Sequence, residues 1–179
     1  IVWGPDRHLG QYINNKTGAE MVLWQGYCVV HDEFKLNELE LLMTRYPEAE
    51  VLVHPESPEG VIAKADFVGS TKQIIAAGQR SESETLIIAT DHGLFYKMNQ
   101  AAPNKRLIPA PTGDKSATCK SCAHCPWMAM NTLINLYEAL RDQTNVIEVD
   151  EVMRQRALVP LNRMLTFSRA HGILTAGDA

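Results

Sequence analysis

The sequence repeats one order of secondary-structure signals: a short apolar strand, a polar loop, and a helix whose apolar residues recur at helical spacing. Leu36, Leu39 and Leu42 show that spacing, and Pro47 ends their helix. Strands that alternate with helices in this way pair in parallel. The order therefore predicts an α/β fold with a mainly parallel sheet. We predict its strands at residues 21–24, 51–53, 66–68, 85–89 and 107–108.

Capping signals predict where several helices begin and end. Asp6 is suited to cap a helix that runs to about Lys16 and stops at Gly18. Ser57 as N-cap, followed by Pro58 at the first helical position, predicts another helix start. Two further caps are predicted at Ser70 and within residues 90–93.

The last third of the chain is predicted to be mostly helical. Pro126 can open a helix whose apolar face reaches Leu140. We predict a last strand at residues 146–149 and a terminal helix at residues 157–169. The polar end of the chain after that helix is expected to fray.

Most of the notable polar residues stand where a predicted strand ends and a helix begins. In open α/β sheets ligands bind at that edge. Helix N-termini at the same edge present free N–H groups and positive potential to anions. The sequence therefore predicts a small, acidic ligand, such as a phosphorylated one.

Two short segments at this edge are candidates for binding and catalysis. His54-Pro55-Glu56 holds an acid–base pair in a restricted backbone, because Pro55 confines His54 to extended geometry. The same tripeptide could be a turn with two solvated side chains. Residues 69–71 offer hydroxyls and backbone N–H groups to a carboxylate or phosphate, or are only the start of a capped helix.

The chain contains four cysteines, and three of them form the run Cys119, Cys122 and Cys125, which ends in Pro126. Cysteines at two-residue gaps can converge on one metal centre, and soft thiolates select zinc, copper(I) or iron–sulfur clusters. Zinc sites usually have two separated pairs, whereas C-x2-C-x2-C before proline is more typical of iron–sulfur spacing. The alternative is that these cysteines are buried, unreactive thiols that bind no metal.

Composition excludes several classes of function. The net charge of −4 and pI of about 5.9 provide no broad basic surface for nucleic acid. No apolar run approaches the roughly 20 residues of a membrane span, and no secretory leader is apparent. We therefore expect a cytoplasmic protein with reduced thiols, no nucleic-acid partner and no membrane association.

Five segments resemble a known family in order and spacing. They are WQGYCVVHDEF at 24–34, VHPES at 53–57, VGST at 68–71, TCKSCAHCPWMAM at 118–130 and LVPLNRM at 158–164. These segments resemble quinolinate synthase, in the bacterial type that carries the C-x2-C-x2-C run. The resemblance is specific and covers almost the whole chain, to about Ala170.

The resemblance implies three related three-layer αβα domains with short parallel sheets, arranged around a pseudo-threefold axis. Each domain contributes one cysteine to a central [4Fe–4S] cluster, and the iron left open acts as a Lewis acid. The implied reaction condenses iminoaspartate with dihydroxyacetone phosphate and loses phosphate and water to yield quinolinate for NAD biosynthesis. These two molecules are the implied small-molecule partners. The resemblance also implies a functional link between this protein and L-aspartate oxidase.

The resemblance also separates the cysteines into two kinds. Cys28 and Cys125 match the family's cluster ligands. Cys119 and Cys122 look like accessory thiols, such as a redox-sensitive pair. This qualifies the view from spacing alone, in which all four thiolates could close one metal site.

Substrate contacts are implied in the same way. His54, Pro55 and Glu56 resemble substrate-binding residues, with His54 and Glu56 catalytic and Glu56 the better acid–base group. Thr71 resembles a residue that binds the carboxylate or phosphate of the substrate. Apart from the resemblance, residues 31–33 beside Cys28 could be ligands, but a solvated loop or a network around a cluster is the favoured interpretation.

The resemblance predicts three regions. Residues 1–46 are the end of a second α/β domain with Cys28, residues 47–130 a third α/β domain, and residues 131–179 a helical extension. The family's first domain has no match here, so we expect a C-terminal portion that is incomplete for activity. The alternatives are a non-catalytic zinc or closed iron–sulfur module that uses all four cysteines, or a folded remnant that binds nothing.

Overall fold

The computed structural model describes residues 1–113 and 123–173. Contacts divide the chain into two compact units, Ile1–Met130 and Asn131–Ala179. His54, Glu56 and Thr71 all belong to the first unit, and so do Cys28 and Cys125. The predicted boundary at residue 46 and the pseudo-threefold arrangement stay predictions.

The first unit opens with two short parallel strands joined by a helix. Strand β1 spans Val2–Trp3, helix α1 spans Arg7–Thr17 and strand β2 spans Val22–Leu23. The side chain of Asp6 accepts a hydrogen bond from the first turn of α1, and Gly18 ends the helix with a left-handed φ of 71°. Both predicted ends of this helix are confirmed.

A four-stranded parallel sheet forms the rest of the first unit. Its strands are β3 (Glu50–Val53), β4 (Phe67–Val68), β5 (Thr85–Ala89) and β6 (Arg106–Pro109). Its helices are α2 (Leu36–Arg45), α3 (Glu59–Ile62), α4 (Thr71–Arg80) and α5 (Leu94–Ala101). The strands lie in the order β4-β3-β5-β6, and all three pairings are parallel. The predicted α/β fold with a parallel sheet is confirmed.

Helices cover both faces of this sheet, because alternate strand residues point to opposite sides. Val51, Val53 and Ile87 pack with Leu39 of α2 and Val61 of α3. The residues between them pack on the other face, against α4 and α5. That second cluster contains Leu52, Leu86, Ile88, Ile74, Phe95 and Met98. The first unit therefore has three layers around a sheet that is buried on both faces.

Helix starts in this unit test the capping predictions. Ser70 accepts a hydrogen bond from the Gln73 amide while the Gln73 side chain bonds back to Ser70, so the predicted cap is confirmed as a capping box. Ser57 does not cap α3, and this prediction is wrong. The Ser57 amide donates to the His54 carbonyl, and the resulting tight turn buries the Ser57 side chain, so Pro58 becomes the N-cap instead.

Helix α6 (Pro126–Ala129) closes the first unit, and α7 (Leu133–Asp142) and α8 (Glu151–Ala170) belong to the second. Pro126 lies in the first turn of α6, as predicted. The single long helix predicted from it is wrong, because Thr132 caps a separate helix through the Asn135 amide. No described residue of α7 or α8 is buried.

Two other predictions for the second unit differ from the structure. Residues 146–149 form no strand, and none of the described residues in this unit supplies a partner strand to pair with them. Helix α8 begins earlier than predicted because the Asp150 side chain caps it by accepting from the Met153 amide. Among the helices of residues 1–113 and 123–173, none is long and apolar enough to cross a membrane.

Candidate functional site

The predicted catalytic residues lie at the carboxyl edge of the four-stranded sheet, where the strand order reverses. From β3 the chain crosses to β4 on one side, and β5 then returns to the other side of β3. Such a switch point leaves a crevice outside the strand ends, where ligands bind. His54 follows β3 and Thr90 follows β5, and the His54 amide donates to the Ala89 carbonyl at 3.0 Å.

His31 is the centre of a hydrogen-bonded group in this crevice. Its Nδ1 lies 3.1 Å from Oε2 of Glu56, and its Nε2 lies 3.0 Å from Oγ1 of Thr90. The imidazole of His54 stacks on that of His31, with ring centroids 4.3 Å apart. His54 Nδ1 lies 3.7 Å from the same Glu56 oxygen. The two histidines and the glutamate therefore form one connected site.

Cys28 completes this group from the loop that precedes His31. The buried carboxylate of Asp6 accepts from the Cys28 amide at 2.9 Å with one oxygen and caps α1 with the other. Ligand atoms of Cys28, His31 and Glu56 all lie within 4.8 Å of one another. Thiolate, imidazole and carboxylate at this separation are a donor set suited to a metal ion.

Hydrogen bonds in the site shift the pKa values of Cys28 and His31 in opposite directions. Burial opposes both charged forms, but the hydrogen bonds outweigh it. Hydrogen bonds that His31 donates to Cys28 and Glu56 raise the pKa of His31 to about 9. The same bond to His31 holds the pKa of the Cys28 thiol below its ordinary value, which favours the thiolate that a metal requires.

The pKa values of His54 and Glu56 are both lowered, but for different reasons. Burial and the neighbouring positive charge of His31 lower the pKa of His54 to about 4, so its imidazole is neutral near pH 7. The hydrogen bond from His31 holds the pKa of Glu56 below its usual range despite partial burial. At neutral pH the site therefore presents an ionised carboxylate beside a neutral imidazole.

Cys125 lies at the same end of the first unit, at the start of α6. Its amide donates to Oδ2 of Asp91 at 2.8 Å, and its Sγ accepts from the Met128 amide at 3.5 Å. Both Cys125 and Cys28 pack against the hydrophobic cluster that contains Val30 and Ala123. Cys119 and Cys122 lie outside the described residues.

Thr71 is the first residue of α4, directly after the capping residue Ser70, and it is exposed. The preceding Gly69 donates its amide to the Val53 carbonyl at 3.1 Å, so the start of α4 lies beside the end of β3. Thr71 is thus at the same sheet edge as His54. Pro55, between the two catalytic candidates, is buried.

Sequence reasoning missed the central position of His31 and the part played by Thr90. The interpretation of residues 31–33 as a solvated loop or a network around the cluster takes them together, but they separate in space, and only His31 joins the network. Asp32 turns away to pair with Arg7 at 2.9 Å and His8 at 2.6 Å. The useful signal was the spacing of Cys28 and His31, which a 3-10 turn at His31–Glu33 converts into a shared site.

The described thiols fit part of the cluster that the resemblance implies. Despite partial burial, the hydrogen bond to His31 holds the pKa of the Cys28 thiol below its ordinary value, and both Cys28 and Cys125 border the same apolar cluster. Two thiolates account for two of the three implied ligands. The group formed by Cys28, His31 and Glu56 offers three ligand atoms to a metal ion. These three atoms alone do not define which type of metal centre they would hold.

A known protein family matches most of the chain. The family model described as "NadA: Quinolinate synthetase A protein" matches residues 1–166. The matched region contains Cys28, His31, His54, Glu56, Thr71 and Cys125. It also includes the whole first unit and most of α8.

Proposed function

The chain belongs to the quinolinate synthetase A family, and from this we propose that it contributes to the condensation of iminoaspartate with dihydroxyacetone phosphate. The reaction is a transfer with loss of phosphate and water, and its product, quinolinate, enters NAD biosynthesis. L-Aspartate oxidase would supply the iminoaspartate. The observation that carries the proposal is the convergence of Cys28, His31 and Glu56 at the switch point of the sheet, within the matched residues.

In this proposal Cys28 and Cys125 are two of the three thiolate ligands of a [4Fe–4S] cluster. When bound, such a cluster with one open iron supplies Lewis-acid activation of the substrate. The lowered pKa of Cys28 supports its role, because the thiolate is the form that binds metal. Asp6 holds the Cys28 backbone through a hydrogen bond of 2.9 Å.

Glu56 acts as the acid–base group. It is ionised at neutral pH, so it begins as a base that can accept a proton from the substrate. Its Oε2 lies 3.1 Å from Nδ1 of His31, which orients the carboxylate. A proton held there can be returned to a leaving oxygen as the substrate loses water.

His54 and Thr71 bind the substrate. The neutral imidazole of His54 can donate one hydrogen bond to an anionic oxygen of the substrate. Because it carries no positive charge, it does not form an ion pair with Glu56 instead. Thr71 and the free N–H groups of the first turn of α4 suit a carboxylate or phosphate. Pro55 holds the two catalytic side chains in a restricted backbone.

Cysteine substitutions in the holoenzyme test this proposal. Cys28→Ser or Cys125→Ser should abolish the brown chromophore of the cluster, whereas Cys119→Ser or Cys122→Ser should leave it largely intact under anaerobic conditions. Visible absorption and the iron and acid-labile sulfide content measure the outcome. Four equally disabling substitutions would contradict the proposal and favour a closed site of four thiolates. Metal content without sulfide or a visible band would indicate zinc.

A further inference from the structure

The loop between β5 and α5, residues 90–93, contacts both cysteine-bearing segments. On one side, Oγ1 of Thr90 lies 3.0 Å from Nε2 of His31, which has a ligand atom within 4.8 Å of that of Cys28. On the other side, the His92 amide donates to the Ala123 carbonyl at 2.7 Å. A four-residue loop thus lies between two ligand segments that are far apart in sequence.

The side chain of Asp91 makes two contacts of its own in this loop. Its Oδ2 accepts from the Cys125 amide at 2.8 Å, and its Oδ1 accepts from the Gly93 amide, also at 2.8 Å. Hydrogen bonds to an ionised carboxylate are stronger than those between neutral groups. The Gly93 bond fixes the carboxylate to its own loop, so the remaining oxygen is held in place for Cys125.

The contacts on both sides of Cys125 determine where its thiol can point. Pro126 restricts Cys125 to an extended backbone, observed at φ −75° and ψ 113°. The backbone bond at Ala123 and the Asp91 bond at Cys125 tie down the two residues that flank His124. With the backbone held, the side chain of Cys125 is restricted to a few staggered orientations.

We propose that Asp91 is a positioning residue for the metal centre, which holds the backbone of Cys125 and thereby fixes where its thiolate lies at the start of α6. This inference rests on the proposed function, because it assumes that Cys125 is a cluster ligand. Asp91 touches neither the substrate nor the cluster in this role. Residues of this kind, one shell out from the ligands, typically alter metal affinity by roughly 10- to 100-fold.

The test compares Asp91→Ala and Asp91→Asn with the wild-type holoenzyme. Asn keeps the shape of Asp but can accept with one oxygen only, and its amide group would face a second N–H donor. Both variants should lose iron to a chelator roughly 10- to 100-fold faster than the wild type. Both should also change the electron paramagnetic resonance signal of the reduced cluster, which a purely structural role would not do.

Asp66→Ala is the matched control. Asp66 also accepts a backbone hydrogen bond with Oδ2, from the Val51 amide at 2.8 Å, but it does so at the amino end of β3. Its substitution should leave iron release and the resonance signal unchanged. If Asp91→Ala fails to fold, Asp91→Asn and the alkylation rate of Cys125 in its cluster-free form, followed by mass spectrometry, still decide the question.

Cys125→Ser separates failure of this inference from failure of the proposed function. If Cys125→Ser destroys the cluster while both Asp91 variants behave like Asp66→Ala, Asp91 has no positioning role and only this inference falls. If Cys125→Ser keeps the cluster, the proposed ligand set is wrong and the inference falls with it. Faster iron release and an altered electron paramagnetic resonance signal in both Asp91 variants support the positioning role of Asp91.

Discussion

At the scale of single residues, His31 organises the site through its two ring nitrogens. One nitrogen meets Glu56 and the other meets Thr90, and the ring face stacks on His54. Each contact removes a degree of freedom from the imidazole. The ring is therefore held in one orientation, and Glu56 is oriented with it.

Substitution of Glu56 by Gln separates binding from proton transfer. The amide keeps the shape and hydrogen-bonding capacity of the carboxylate, but it cannot exchange protons in the same way. In the holoenzyme, Glu56→Gln should keep the cluster spectrum and bind substrate, yet lose about 10²- to 10⁴-fold in turnover. Steady-state kinetics, together with the visible spectrum, provide the measurement.

Glu59→Gln is a suitable control because Glu59 is exposed and contacts the Asn15 side chain. That variant should retain wild-type turnover. Near-normal turnover in Glu56→Gln would make Glu56 a bystander, and loss of the cluster would make its role structural. His54→Ala should in addition weaken substrate binding, because it removes a donor to the anionic substrate.

The raised pKa of His31 predicts how the stability of the cluster-free protein depends on pH. Its pKa rises from an ordinary 6.5 to about 9 on folding. The stabilisation by protonated His31 is therefore fully present below pH 6.5 and is lost as the pH rises through about 9. At its largest this contribution is about 3 kcal/mol, from about 1.4 kcal/mol per pKa unit.

Urea unfolding of the wild type and His31→Gln between pH 6 and pH 10 measures this difference. The gap in the free energy of unfolding should be widest at low pH and should narrow toward pH 10. His171→Gln, at the exposed residue that directly follows α8, controls for general effects of pH. A gap that stays constant, or widens with pH, would contradict the assignment of a protonated His31.

At the scale of elements, close helix–strand contact makes the β1-α1-β2 unit compact. A Cβ atom added at Gly10 of α1 would lie 2.5 Å from Cδ1 of Trp3 and 2.7 Å from Cδ2 of Leu23. Real side chains essentially never approach this closely, so the helix can lie on these strands only with glycine there. The same helix begins at Asp6, which holds Cys28.

Gly10→Ala should destabilise the first unit despite the better helix propensity of Ala. Overpacking costs about 1–3 kcal/mol, and the gain in helix propensity offsets at most about 1 kcal/mol. Denaturant unfolding should therefore show a net loss of about 1–2 kcal/mol. Gln11→Ala, next to Gly10 and exposed, should change stability by less than about 0.5 kcal/mol. A Gly10→Ala variant as stable as the wild type would refute this packing.

At the scale of the whole molecule, the described hydrophobic core lies within the first unit. Both clusters of buried residues fall between Val30 and Ala123. Helices α7 and α8 of the second unit contain no buried residue among those described. Because burial of apolar surface is the main favourable term in folding, most of the folding free energy should reside in the first unit.

A chain that ends after Met130 should therefore retain a cooperative unfolding transition. Circular dichroism at 222 nm and calorimetry would follow its thermal unfolding. A chain that ends at Lys105 is the control, because it lacks β6 and exposes one edge of β5, and it should lose cooperativity. Loss of cooperative unfolding on removal of residues 131–179 alone would show that the second unit is needed for the fold.

The sequence by itself determined the local structure and the kinds of residue at the site. Strand and helix order, the caps at Asp6 and Ser70, and the restricted His54-Pro55-Glu56 segment all depend on neighbours within a few residues. Such signals are readable because backbone restrictions and capping bonds act over short stretches of chain. The cysteine spacing and five matching segments indicated the family in the same way.

Only the tertiary structure decided which of these residues meet. His31 and Thr90 are 59 positions apart, and Cys125 and Asp91 are 34 apart, yet each pair is joined by a hydrogen bond. Ser57 shows the converse, because a good local cap signal was overridden by a turn that buried it. Strand order places these residues at one sheet edge. That order is set by the burial of both sheet faces, which is a property of the whole core and of no single segment.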